Sequence, residues 1–110
     1  MDEPKPFDLH RKVSAMVTKF PGVEEIEKHK LPAFTIERRL FLLCTPNSII
    51  PTYLTPEEAE KAYRMYGARP FSIKGKECRD WPEIVVRDTN ELRAVEFLIH
   101  ASLKWARLDD

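Results

Sequence analysis

The C-terminal part of the chain has an apolar face that is too broad for a solvated helix. A helix is predicted from Asp88 or Thr89 to about Arg107, with Glu91 placed for a capping box. Its apolar stripe consists of Leu92, Val95, Ile99, Ser102, Leu103 and Ala106, and it is widened by Phe97, Leu98 and Trp105. Such a stripe packs on a sheet or lies in a subunit interface.

Two shorter helices are predicted upstream. Apolar residues at spacings of three and four predict one helix over residues 7–20. A second helix begins at Thr55, which can cap it, because Pro56 suits the first helical position and Glu58 completes a capping box. Gly67 is expected to end this helix, since glycine tolerates the backbone conformation found after a last turn.

Short apolar runs predict strands between the helices. The predicted strands cover residues 32–36, 40–44, 49–54, 70–74 and 83–87, and residues 23–31 are interpreted as a connector with a short extended piece. Pro51 cannot donate a ladder hydrogen bond, which places the third strand at an edge or a bulge. The order α-β-β-β-α-β-β-α therefore predicts an α+β fold, with an antiparallel sheet of about five strands and three helices packed on it.

Composition indicates one small domain over residues 1–110, with a flexible start at residues 1–6. Hydrophobic residues make up 43% of the 110 residues, which suffices for a single core. The 18 basic and 18 acidic residues balance, so the chain has no polybasic tail for nucleic acid. No apolar run approaches the ~20 residues that cross a bilayer. The polar N-terminus and the two cysteines favour a reducing, cytoplasmic location.

Segments along nearly the whole chain follow a recognisable order. They are residues 20–25 (FPGVEE), 31–36 (LPAFTI), 40–41, 54–59 (LTPEEA), Trp81 with 84–86, Leu92 and 101–102. Together they resemble the MmcQ/YjbR family of small cytoplasmic proteins. The resemblance implies a frataxin-like, double-wing fold and DNA binding as an activity.

The chain departs from the family pattern at three places. A Gly-Lys hairpin turn is replaced by Glu37-Arg38-Arg39, and Trp81 follows Asp80 instead of glycine. Tyr53 stands where a lysine often precedes the leucine before the second helix. The last change removes a cation that could meet phosphate, which weakens the transfer of a binding role to that strand.

Basic residues in two predicted loop regions are the candidate DNA contacts. Arg38 and Arg39 lie at the predicted hairpin tip, and Lys74, Lys76 and Arg79 lie between later strands. Cations at such positions neutralise phosphates and give binding that weakens with salt. These residues therefore predict weak, sequence-independent binding of double-stranded DNA, and an ordinary solvated loop surface is the alternative.

Other candidate sites rest on aromatic residues. Phe34, Tyr53 and Trp81 could line a cleft, although a short chain also needs aromatic side chains for its core. Trp105, near the end of the broad helix, is the candidate dimer contact. The second functional hypothesis is therefore a protein-interaction module or homodimer that uses this helix, without nucleic acid.

The sequence contains no recognisable catalytic constellation. It has no nucleophile–base pair, carboxylate pair or phosphate-cradling glycine loop, and its histidines and cysteines lack metal-ligand spacing. Cys44 ends an apolar run and is expected to be buried, whereas Cys78 lies in a charged segment. We therefore expect a binding protein without enzymatic activity, metal or cofactor.

Overall fold

A computed structural model describes residues 7–109, so the segment predicted to be flexible, residues 1–6, lies outside the described residues. The helices are α1 (Leu9–Val17), α2 (Pro56–Met65) and α3 (Thr89–Leu108). The strands are β1 (Val23–Lys28), β2 (Leu31–Ile36), β3 (Arg39–Cys44), β4 (Ser48–Pro51), β5 (Arg69–Ile73) and β6 (Lys76–Val85). The predicted α+β fold with an antiparallel sheet and three helices is confirmed, with six strands in place of about five.

The additional strand is β1, which the sequence interpretation treated as a connector. Its sequence is VEEIEK, and every residue after Val23 is exposed. The apolar residues Val23 and Ile26 are three positions apart, so the two-residue period of a half-buried strand is absent. β1 forms because it pairs with β2 along its whole length, and its glutamates suit an edge strand that must resist further pairing.

The prediction that Pro51 places β4 at an edge or a bulge is wrong, because β4 has neighbours on both sides and its pairings show no register shift. The strand order is β1-β2-β3-β4-β6-β5, which places β4 inside the sheet. Pro51 is the last residue of β4, whereas the pairing with β6 involves only Ser48 and Ile49. β6 does not run beside Pro51. The missing N–H of Pro51 therefore removes no hydrogen bond from the β4–β6 ladder.

β6 is longer than predicted, because it begins at Lys76 and contains Pro82 in its interior. Pro82 opposes Pro70 of β5, and the register shifts directly beside this pair. The shift is a bulge, the setting in which prolines are accepted within strands. Only Ile84 and Val85 pair with β4, so the outer part of the β5–β6 hairpin is held to the sheet by side-chain packing.

The main core lies between one face of the sheet and the helices α1 and α3. The stripe predicted on α3 is confirmed, with Leu92, Val95, Leu98, Ile99, Ser102, Leu103 and Ala106 all buried. The Ser102 hydroxyl donates to the Phe41 carbonyl (2.6 Å) and accepts from the Tyr53 N–H (2.9 Å), which satisfies a polar group inside this core. Each large apolar side chain buried here contributes about 1.5–3 kcal/mol to folding.

A second apolar cluster lies on the opposite face of the sheet. Its buried members are Ala33, Leu43, Ile50 and Phe71, and Leu31, Leu40, Ile73 and Trp81 pack against them. Along β2, β3 and β4, residues of this second cluster alternate with residues of the main core. The two clusters therefore lie on opposite faces of the sheet. Because Phe71, Ile73 and Trp81 come from β5 and β6, this hairpin covers the second face.

The helix starts follow the predicted capping chemistry. Thr55 and Glu58 form the reciprocal capping box of α2, and Pro56 occupies its first turn. Asp88 caps α3 by accepting from the Glu91 N–H at 2.8 Å. None of the helices in the described part of the chain is long and apolar enough to cross a membrane.

The two cysteines should react at very different rates with a thiol reagent. Burial, with smaller contributions from the carboxylates of Glu25 and Asp8, raises the pKa of the Cys44 thiol from 9.0 to about 12. Cys44 is therefore protonated and shielded at pH 8, whereas Cys78 is partly exposed. Ellman's reagent should modify one thiol quickly in the native protein and the second only after denaturation. Cys78→Ser should abolish the fast reaction, and two fast thiols would contradict the assignment.

Candidate nucleic-acid interface

The structure contains two short Lys-X-Lys turns, one at the end of each of two hairpins. Lys28-His29-Lys30 connects β1 to β2, and Lys74-Gly75-Lys76 connects β5 to β6. The turn residues have positive φ, at 54° for His29, 64° for Lys30, 51° for Lys74 and 82° for Gly75. Positive φ at both central residues is typical of the tight type I′ hairpin turn. All four lysines are exposed.

Because side chains alternate between the two faces of a strand, the lysines and the glutamates beside these turns lie on different faces. Lys28 pairs with Leu31, and Lys76 pairs with Ile73, so both lysines are on the strand face that carries the second apolar cluster. Glu27 and Glu77, their neighbours in sequence, point to the opposite faces of their strands. Lys28 and Lys76 therefore share a strand face with the cluster, and the adjacent glutamates are directed away from it.

The two hairpins pack against each other through the second cluster. Leu31 comes from the β1–β2 hairpin, and Phe71 and Trp81 come from the β5–β6 hairpin. The rings of His29 and Trp81 lie 6.4 Å apart, centroid to centroid, which joins the β1–β2 turn directly to β6. We call the four rim lysines, Lys28, Lys30, Lys74 and Lys76, the lysine rim.

Arg79, a predicted DNA contact, is held against α2. Its carbonyl accepts the Tyr63 hydroxyl (2.7 Å), and its guanidinium carbon lies 5.4 Å from the centre of the Tyr63 ring. Burial is the main reason that the pKa of Tyr63 is raised above its usual value of 10.0, although the Arg79 charge opposes this shift. The hydroxyl therefore remains a donor at neutral pH, and Arg79 is positioned by α2 away from the lysine rim.

Arg39 is bound to the C-terminal end of α3. Its guanidinium donates to the Ala106 carbonyl (3.2 Å) and to the Glu37 carboxylate (3.1 Å), and it lies 3.9 Å from the Asp109 carboxylate. The last carbonyls of a helix have no partner within the helix and carry partial negative charge. Arg39 therefore stabilises the end of α3, and its charge is neutralised within the molecule.

Arg38 is exposed at the β2–β3 turn, where its φ is 67°. This turn follows β2, whereas the β1–β2 turn precedes it, so the two turns are at opposite ends of the same strand. Six residues of strand separate them by about 20 Å. Arg38 is therefore not part of the lysine rim.

Loss of the Arg39 side chain should destabilise the fold, whereas loss of the Arg38 side chain should not. Arg39→Gln removes the partner of the Ala106 carbonyl, and we expect a decrease of about 1 kcal/mol in the free energy of unfolding. The matched variant Arg38→Gln should stay within about 0.5 kcal/mol of the parent protein. Urea denaturation of both proteins provides the measurement, and equal losses would contradict the role of Arg39.

The residues predicted to line one cleft lie in three different places. Phe34 is completely buried in the main core, so its assignment to a cleft is wrong. Trp81 belongs to the second cluster, where it stacks on Phe71 at a centroid distance of 6.3 Å. Tyr53 lines a shallow cavity of about 340 Å³ near the end of α3, and its hydroxyl donates to the Asp109 carboxylate. The sheet separates Phe34 from Trp81, so no single cleft contains all three.

Trp105, the predicted dimer contact, is 37% exposed on α3. Its indole N–H donates to the Glu58 carboxylate at 3.1 Å, and the Lys104 ammonium lies 5.1 Å from its ring. Since Glu58 also belongs to the α2 capping box, Trp105 ties α3 to the start of α2. The same side chain therefore has an intramolecular role, and part of its ring is still open to solvent.

Sequence reasoning missed Lys28 and Lys30, because their segment was interpreted as a connector. The signal available was the repetition of Lys-X-Lys at residues 28–30 and 74–76. The contact between His29 of the β1–β2 turn and Trp81 of β6 depends on the folded hairpin and has no signature in the local sequence. Among residues 7–109, no three histidine, cysteine, aspartate or glutamate side chains are grouped to hold a metal ion.

In comparisons with known proteins, no family model matches the chain, and no curated protein or solved structure shows significant similarity to it. The resemblance to the MmcQ/YjbR family therefore stays a prediction.

Proposed function

We propose that this protein binds double-stranded DNA weakly and without sequence preference through the lysine rim. The observation that carries the proposal is the packing of the β1–β2 hairpin against the β5–β6 hairpin, with the His29 and Trp81 rings 6.4 Å apart. It joins the β1–β2 turn, which carries Lys28 and Lys30, to β6, the strand that begins at Lys76. Two basic hairpin ends are also the arrangement implied by a double-wing fold.

The local charge supports binding although the whole chain is neutral. Within residues 7–109, none of the four rim lysines takes part in an ion pair, so their charges are available to a polyanion. Duplex DNA carries one negative charge per ~1.7 Å of axis, and each neutralised phosphate releases counterions. A net charge of zero limits long-range attraction, which is why we expect weak binding at physiological salt.

The direct test is fluorescence anisotropy of a labelled duplex of ~20 bp, titrated with the protein at several salt concentrations. Four phosphate contacts predict a slope of about −3.6 for the logarithm of the binding constant against the logarithm of salt. Duplexes of different sequence should bind equally. Absence of saturable binding at low salt would refute the proposal.

A second candidate function is self-association through the outer surface of α2 and α3. Phe97, Trp105 and Leu108 lie along one side of α3 with exposures of 39%, 37% and 60%, and Met65 of α2 is 63% exposed. The ring of Tyr66 lies 5.9 Å from that of Phe97, which continues the apolar surface from α3 to α2. Exposed apolar patches of this kind mark protein interfaces.

Sedimentation velocity at increasing protein concentration tests this second function. A dimer should form with rising concentration, and Phe97→Glu should dissociate it. Ile26→Glu, which changes an exposed residue of β1, provides the matched control and should leave association unchanged. A monomer at all concentrations would exclude the homodimer.

A further inference from the structure

A cavity of about 860 Å³ lies outside the lysine rim, where α2 and β6 end and α3 begins. Met65, Tyr66 and Gly67 line it from the end of α2, Val85 from β6 and Ala94 from α3. Its volume is in the range of pockets that bind small molecules. The proposed DNA binding does not use it, whereas Met65 and Tyr66 belong both to this cavity and to the apolar surface proposed for self-association.

One wall of the cavity is apolar and open. Val85 is 46% exposed and Met65 is 63% exposed, although both are large hydrophobic residues. Gly67 has a φ of 64°, and no atom lies within 4 Å of the position that a Cβ would occupy. These residues leave room for an apolar group, and its burial against Val85 and Met65 would be favourable.

The cavity is also lined by two charges, those of Arg69 and Glu83, that form no ion pair with each other. Arg69 and Glu83 are direct partners in the β5–β6 ladder, a position in which opposite charges ordinarily pair. The Glu83 carboxylate instead accepts the hydroxyl of the fully buried Ser48 through Oε2 at 2.7 Å. Within residues 7–109, Arg69 forms no ion pair and Glu83 Oε1 has no hydrogen-bond partner.

The remaining charges of the cavity are paired. Glu91 accepts the backbone N–H of Arg87 (2.6 Å) through Oε1 and pairs with its guanidinium (3.3 Å) through Oε2. The charges of the cavity that lack an ion-pair partner are therefore Arg69 and Glu83. The Glu83 carboxylate would repel a simple anion, and the Arg69 guanidinium would repel a simple cation. A ligand that carries both charges complements the site.

We propose that this cavity binds a small zwitterion of the α-amino acid class with an apolar side chain. The ligand carboxylate is bound by the Arg69 guanidinium, which presents two parallel N–H donors. The ligand ammonium is bound by the Glu83 carboxylate, and the side chain packs on Val85 and Met65. This activity is independent of DNA binding, since no rim lysine lines the cavity.

The test is an NMR titration of the full chain with three related probes, followed through backbone amide shifts. The probes are L-phenylalanine, 3-phenylpropionate, which lacks the ammonium, and phenethylamine, which lacks the carboxylate. We expect saturable binding of L-phenylalanine, with shifts concentrated at residues 83–87 and 94–95. Each analogue should bind at least about tenfold more weakly, because it lacks one charge-assisted hydrogen-bonded pair.

Variants identify the group that recognises the carboxylate. Arg69→Gln should weaken L-phenylalanine binding about tenfold and leave the weak binding of phenethylamine unchanged. Arg93→Gln is the matched control, because Arg93 is exposed on α3 and does not line the cavity. Equal binding of the three probes, no saturation by L-phenylalanine, or no effect of Arg69→Gln in a folded protein would each overturn the proposal.

Discussion

Reversal of two charges at the β5–β6 turn should reduce DNA affinity by about 100-fold at low salt. The double variant Lys74→Glu/Lys76→Glu removes two cations that meet phosphate and places two carboxylates against the duplex. The two lost attractions and the two new repulsions cost about 0.7 kcal/mol each at about 6 Å in water, so the total of ~2.8 kcal/mol corresponds to about 100-fold. The salt slope should also become shallower by about 1.8, since two fewer phosphates are neutralised.

The control for this variant is Lys12→Glu/Lys19→Glu, which changes one residue of α1 and one residue of the turn after it. Both residues are exposed, and the substitution changes the net charge by the same amount at a surface outside the rim. It should weaken binding only slightly, through the long-range field of the protein. Arg39→Gln should likewise leave the affinity nearly unchanged, because Arg39 is bound to α3. Equal losses in the two lysine variants would show that net charge, and not the rim, determines binding.

Replacement of Phe34 by alanine should remove a large part of the free energy of unfolding. Phe34 is completely buried in the main core, and its removal leaves a cavity between β2 and the helices. Phenylalanine-to-alanine substitutions at such sites cost about 3–5 kcal/mol, whereas domains of this size are stable by about 5–15 kcal/mol. The measurement is the free energy of unfolding from urea denaturation followed by circular dichroism.

The matched variant is Phe97→Ala, because Phe97 is 39% exposed on α3. It removes the same atoms from a half-solvated position and should cost about 1 kcal/mol. Similar losses at both positions would contradict the burial of Phe34 in the main core.

Local signals in the sequence were sufficient for the helices. Thr55, Pro56 and Glu58 define the start of α2 within one turn, and the broad stripe of α3 requires a sheet, so the fold class follows. β1 was not predicted, because its own sequence lacks the alternation of apolar and polar residues that is typical of a strand. It is a strand because it pairs with β2. Pro51 led to a wrong position for β4. β4 can lie inside the sheet because β6 pairs only with its first residues and leaves the sheet before it reaches Pro51.

The candidate site was harder to predict, because its residues meet only through tertiary contacts. Lys74 and Lys76 could be identified from the basic segment, and their turn was expected. Lys28 and Lys30 could not be linked to them, because the contact of His29 with Trp81 that joins the β1–β2 turn to β6 exists only in the folded protein. The contacts of Arg39 and Arg79 could not be predicted from the sequence. Arg39 binds the end of α3 and Arg79 lies against the Tyr63 ring, and both partners are distant in sequence.

At turn residues with positive φ, the residue that gives the most stable fold differs from the residue that gives the tightest DNA binding. A left-handed backbone costs a residue with a side chain roughly 1–2 kcal/mol, whereas glycine adopts it freely. Lys30, with a φ of 64°, therefore carries its charge at the expense of folding stability. Glycine at position 30 would favour folding and discard one cation of the rim. A thermostabilised form of this protein selected without regard to function would tend to lose its charge at such turns.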